Sequence, residues 1–156
     1  MSNALIIGAG PAGLMAADVL SQAGHQVTVA DAMPSVGRKF LMAGKSGLNL
    51  TKAEPPEAFV PTFGHVPPSF ARAVRDFGPD AIQDWARDLG QAVFTGTTGR
   101  VFPNTMKASP LLRAWLAKLT AAGVTFQTKW RWMGWDDAAA VFETPDGRQV
   151  LSADVV

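Results

Sequence analysis

The chain opens on an apolar run at residues 4–8 (ALIIG), β-branched in its middle and closed by a glycine, which predicts a buried parallel strand. Pro11 then suits the first turn of a helix. Ala12, Met15, Ala16, Val19, Leu20 and Ala23 recur at helical spacing as one apolar face, and Gly24 is its stop. A second run at 26–30 (QVTVA) reads as another strand and ends at Asp31. Strand, helix and strand together take about thirty residues, the size of a right-handed parallel crossover.

The segment 37–51 (GRKFLMAGKSGLNLT) reads as a basic, glycine-rich loop carrying Arg38, Lys39 and Lys45, with Asn49 and Thr51 closing it. Prolines at 55, 56, 61, 67 and 68 disfavour regular structure over 54–68, which reads as a surface connection. Two short helices are predicted next, one with the stripe Phe70, Val74 and Phe77, the other with Ile82, Trp85, Ala86 and Leu89, separated by Gly78-Pro79. Residues 91–102 are turn-rich. A clearer helix is predicted from Ser109 as cap and Pro110 at its first position, with Leu112, Trp115, Leu116 and Leu119 on one face and Gly123 as its end. A strand follows at 124–126. Three more strands are predicted at 130–135, 139–144 and 149–151, with hairpin turns at Asp136-Asp137 and Asp146-Gly147. The final residues, 153–156 (ADVV), start a further apolar strand with no turn after it, as expected of a chain cut within a larger fold.

Composition narrows the function classes. With 156 residues, 47% of them hydrophobic, the chain has material for one compact domain. A net charge of +1, with no basic and aromatic stripe, argues against nucleic-acid binding. Apolar runs are only a few residues long, so neither a spanning helix nor a signal peptide is expected. The chain has no cysteine, which excludes disulfides and thiolate chemistry within it and fits a reducing, cytoplasmic location. His25 and His65 lie far apart and read as ordinary polar residues, so no metal site is expected.

The chemistry sits in GAGPAG. Gly8, Gly10 and Gly13 match the dinucleotide fingerprint: the first allows a tight turn out of the strand, the second a backbone approach to a pyrophosphate, the third close packing of helix on strand. The helix N-terminus offers amide donors to phosphate. Asp31 lies eighteen residues after Gly13 at the end of the second strand, where a carboxylate accepts hydrogen bonds from ribose hydroxyls. The fingerprint leaves FAD and NAD open. A segment returning Arg38 and Lys39 toward the pyrophosphate favours FAD, since it adds the charge that a helix N-terminus only partly supplies.

GAGPAG, the acidic strand end, residues 37–51 and then 99–115 (GRVFPNTMKASPLLRAW) together resemble the N-terminal part of the HI0933-like, or BaiN-like, family of FAD-dependent oxidoreductases. These are flavoproteins of the two-dinucleotide-fold superfamily. The family loop commonly reads Gly-Arg-Lys, then Ser-Gly-Gly-Gly-Arg-Cys-Asn and a nearby Thr. This chain keeps Gly37, Arg38, Lys39, Gly44, Asn49 and Thr51, and departs at Ala43, Lys45, Ser46, Gly47 and Leu48. With no arginine at Gly47, Lys45 is the nearby residue expected to supply the charge.

The resemblance implies an α/β, Rossmann-like FAD-binding fold with a parallel sheet, a helical insertion and a three-stranded antiparallel crossover. The expected core covers 1–53 and 107–128, the insertion 54–106, the crossover 129–152 and the next core strand 153–156. It also places Trp132 where the superfamily's backbone often meets the adenine, although Trp130, Trp132 and Trp135 equally read as the alternation of a half-buried strand. The expected cofactor-binding set is Gly8, Gly10, Pro11, Ala12, Gly13, Asp31, Ala32, Arg38, Lys39, Lys45, Ser46, Asn49 and Trp132, with no catalytic residue named. The function implied is the FAD-binding portion of an oxidoreductase that uses NAD(P)H and acts on a small molecule, with weak or no retained FAD in this stretch alone. A non-catalytic nucleotide-binding module and a single-Rossmann NAD-dependent dehydrogenase stay open as alternatives.

Overall fold

The first apolar run forms strand β1 (Asn3–Ile7), which pairs in parallel with β2 (Gln26–Asp31) from Asn3 opposite Gln26 to Ile7 opposite Ala30. In the computed structural model, which describes residues 1–44 and 46–156, helix α1 (Pro11–Gln22) joins these strands and lies against both. Strand β6 (Thr125–Thr128) adds in parallel on the far side of β2, giving the order β1-β2-β6. At the β1 edge, Leu5 N–H donates to Val155 O at 2.9 Å and Ala4 bridges Val155 in parallel. The strands β7 (Arg131–Asp136), β8 (Ala139–Thr144) and β9 (Gly147–Leu151) form the antiparallel meander. Ala140 and Phe142 pack with Leu5 and Ala30, and Trp130, Leu151 and Ala153 close this cluster. Apolar contact between meander and parallel sheet builds the core of a Rossmann-type unit.

These elements belong to one compact unit, residues 1–40 with 115–156; residues 41–114 make up another. In the second, β3 (Thr51–Lys52), β5 (Arg100–Pro103) and β4 (Val93–Thr95) form an antiparallel sheet in the order β3-β5-β4. The rings of Phe94 and Phe102, opposite one another in that sheet, stack with centroids 5.8 Å apart. The predicted short helices are α4 (Pro68–Asp76) and α5 (Pro79–Asp88); α5 lies against β3 and β4, and its Ala86 is buried.

Four expectations need correction. The segment after Gly37 is a helix over its first part, α2 (Arg38–Ala43), because Phe40, Leu41, Met42 and Ala43 favour helix and the glycines fall outside it. The proline-rich stretch contains α3 (Pro56–Phe59) and a 3₁₀ turn (Val60–Phe63), since Pro56 takes a first helical position where no N–H is needed. Phe63 then meets Phe59 and Phe70 edge to face, with centroids 5.5 and 5.4 Å apart. The long helix α6 (Ala108–Ala121) begins before Ser109, which lies in its first turn and not at its cap. Finally, α1 buries Leu14, Ala17 and Asp18, whereas Val19 from the predicted face is 61% exposed.

Asp18 explains that last error. Its carboxylate is buried on α1, where Oδ2 accepts from the Trp115 indole N–H at 2.9 Å, Oδ1 accepts from Gln22 Nε2 at 2.5 Å, and Lys118 Nζ stands 2.9 Å from Oδ1. Burial alone would raise its pKa, but the hydrogen bonds from Lys118, Gln22 and Trp115 and the charge of Lys118 outweigh it, and the pKa is lowered. A lowered folded pKa means that this stabilisation is full above the unfolded value of 3.8 and is lost as pH falls through the folded value. Asp18→Asn should therefore cost about 2 kcal/mol at pH 7 in urea unfolding. The gap from wild type should narrow as pH is taken below 3.8; a gap independent of pH would contradict the ionic account.

Candidate functional site

Strand β1 ends in a turn that only glycine adopts without strain: Gly8 has φ +107°, and its N–H donates to Ala30 O at 2.7 Å. Gly13 lies so close to that turn that a Cβ there would stand 1.9 Å from Gly8 O. Gly10 is different. It caps α1 in an extended conformation, and the place a Cβ would occupy has nothing within 4 Å. Its backbone thus faces open space at the N-terminus of a helix that starts at Pro11 and has no acidic residue in its first turn.

Asp31 ends β2 beside this turn. Its Oδ2 accepts from Ala9 N–H at 2.6 Å and its Oδ1 from Met33 N–H at 2.7 Å, so the carboxylate ties the turn after β1 to the turn after β2. Each oxygen keeps further acceptor capacity. The second turn is anchored again at Gly37, which is buried, has φ +69° and donates its N–H to Ala9 O at 2.8 Å. Arg38 and Lys39 follow at once in the first turn of α2. Lys129 N–H donates to Met33 O at 3.1 Å and Trp130 N–H to Asp31 O at 2.9 Å, which brings the start of the meander to the same strand end.

The result is a cavity of about 250 Å3 lined by Gly8, Ala9, Gly10, Asp31, Met33, Ser35, Arg38 and Lys39. A helix N-terminus, two cations and a carboxylate around one cavity suit a ligand that has both anionic groups and hydroxyls.

Of the residues expected from sequence, Gly8, Gly10, Asp31, Arg38 and Lys39 meet here, and Gly13 supports the turn from behind. Pro11 and Ala12 are exposed in the first turn of α1, and Ala32 is exposed after Asp31; none of the three lines the cavity. Ser46 and Asn49 are exposed residues of the 41–114 unit, and Lys45 lies outside the described residues. Trp132 sits in the meander, 42% exposed, edge to face with Trp135 at 5.7 Å, and does not line the cavity. Only Trp130 packs inward, on Phe142, because a bulge between Trp132 and Gly134 shifts the register and brings Trp132 and Trp135, three residues apart, together on the exposed face. Sequence reasoning missed Ala9, Met33 and Ser35. Their signal was positional: one is the middle of G-x-G, and two lie in the short link from Asp31 to Gly37.

The profile of the HI0933-like protein Rossmann domain matches residues 2–156. The chain belongs to this family. Among solved structures, a 3-ketosteroid-Δ4-(5α)-dehydrogenase from Rhodococcus jostii RHA1 superposes on this HI0933-like domain with a TM-score of 0.72 at 16% identity, over 99% of this chain and 45% of its own. An open-conformation flavocytochrome c3 fumarate reductase gives 0.66 at 18%, over 99% and 33%. THI4 from Thermovibrio ammonificans gives 0.61 at 15%, over 99% and 55%. At such identities the likeness is one of fold, and the HI0933-like domain spans between a third and about half of these proteins. No curated protein matches it in sequence. Among the described residues no helix is long and apolar enough to cross a membrane.

Proposed function

We infer that this chain is the FAD-binding part of a flavin-dependent oxidoreductase. The observation that carries the reading is the open space over Gly10 in a cavity that Asp31, Arg38 and Lys39 also line. A pyrophosphate fits where a Cβ would otherwise stand, within reach of the first amides of α1. Asp31 accepts from ribose hydroxyls while its bonds to Ala9 and Met33 hold both walls of the cavity in place. Arg38 and Lys39 neutralise the phosphate charge, and a basic pair in addition to the helix terminus favours FAD over NAD.

Bound FAD would supply two-electron redox chemistry, and this chain's residues bind and orient it. NAD(P)H as reductant and a small molecule as substrate complete the proposal on the strength of the family resemblance, with the substrate-binding groups outside the residues described above. The competing reading, a single-Rossmann NAD-dependent dehydrogenase, draws on the same Asp31.

Arg38→Gln and Lys39→Gln decide between them. Each side chain is exposed, so the thermal midpoint should stay at the wild-type value. FAD affinity, read by flavin fluorescence in low salt, should fall about tenfold per substitution, and less as salt rises. Unchanged FAD affinity in both variants, with NAD bound more tightly than FAD by the wild type, would overturn the flavin reading.

A further inference from the structure

Trp115 closes the 99–115 stretch that resembles the family's, yet cofactor binding as described gives it no task. It is 1% exposed, and its Nε1–H donates to Asp18 Oδ2 at 2.9 Å, which fixes the indole on α1. The ring of Phe40 stands edge to face against the same indole, with centroids 6.0 Å apart and planes at 62°. Phe40 follows Arg38 and Lys39 directly in α2.

Helix α2 has six residues and buries none of them fully, and Phe40 is the one residue in it that is not exposed. A helix that short is not stable by its own hydrogen bonds, so its position depends on outside contacts. Gly37 supplies one at the start, through its N–H on Ala9 O. We propose that Trp115, acting through Phe40, is a positioning residue that fixes the other side of the basic pair and so sets Arg38 and Lys39 at the cavity. The consequence for cofactor binding rests on the FAD reading above. A loosened pair would lose affinity because each long side chain would have more conformational freedom to give up on binding.

The test uses the 156-residue chain with Phe40→Leu, Phe40→Tyr and the double variant Arg38→Gln/Lys39→Gln. Amide exchange by NMR reads the brace without any cofactor. In Phe40→Leu the buried Gly37 amide should exchange about tenfold faster, while the Gly8 amide, bonded to Ala30 O, should keep its wild-type rate. FAD titrations across a salt series read the purpose: in Phe40→Leu affinity should fall about tenfold and its salt dependence shrink toward that of the double variant. Phe40→Tyr keeps the ring and should restore both values. Wild-type Gly37 exchange and wild-type salt dependence in Phe40→Leu would overturn the brace. Faster Gly37 exchange in Phe40→Leu, with FAD bound by the wild-type chain in a way that ADP does not compete for, would keep the brace and remove the cofactor reading instead.

Discussion

Gly13→Ala is expected to leave the Rossmann unit less stable by about 3 kcal/mol or more, because the new methyl meets a backbone atom that has no room to retreat. The Cβ would stand 1.9 Å from Gly8 O and 3.1 Å from both Gly8 C and the Ile6 side chain. Gly8 is itself held, with its N–H on Ala30 O and a φ of +107° that few other conformations could replace. Relief therefore requires α1 to move off β1, and α1 carries the buried Asp18 with its three partners. Urea unfolding should show a large fall in midpoint for Gly13→Ala. A midpoint equal to wild type would mean that the close approach of α1 to the Gly8 turn is not a feature of the folded chain.

Gly10→Val should do the opposite. Its φ of −79° is open to any residue, and a side chain there projects into space, so the stability loss should stay within about 1 kcal/mol, the usual scale of a poorer N-cap. The branched side chain fills the place assigned to the pyrophosphate, so FAD affinity should fall on the order of 100-fold. Retained affinity with an intact fold would remove the pyrophosphate from that place. Two glycines three residues apart thus separate the demands of folding from those of binding.

Much of this site was legible because the fingerprint depends on local backbone geometry. The tight turn at Gly8, the close contact at Gly13 and the open approach at Gly10 each need glycine for a different steric reason, and all three lie within six residues. Asp31 was legible because it ends a strand whose pattern was clear. The rest depended on contacts distant in sequence. The buried side of α1 was misread since it contains Asp18, a charged residue made tolerable by Trp115 and Lys118 nearly a hundred positions away. Glycines flanking Arg38–Ala43 suggested a loop, while the residues inside it favour helix and Phe40 finds its partner only at Trp115. Met33 and Ser35 carry no motif and reach the cavity because Asp31 and Gly37 tie both ends of their turn to Ala9. The register shift after Trp132 has no counterpart in the hydrophobic pattern, since a bulge inserts a residue without changing composition.

The central claim, that the cavity between Gly10, Asp31, Arg38 and Lys39 takes the adenosine-diphosphate end of FAD, is tested most directly by competition. The purified chain is titrated with FAD by fluorescence, and the complex is then challenged separately with ADP and with FMN. ADP should displace FAD in a simple competitive manner while FMN leaves it bound, because only ADP offers both the ribose for Asp31 and the phosphates for the basic pair. Displacement by FMN and none by ADP would contradict the claim.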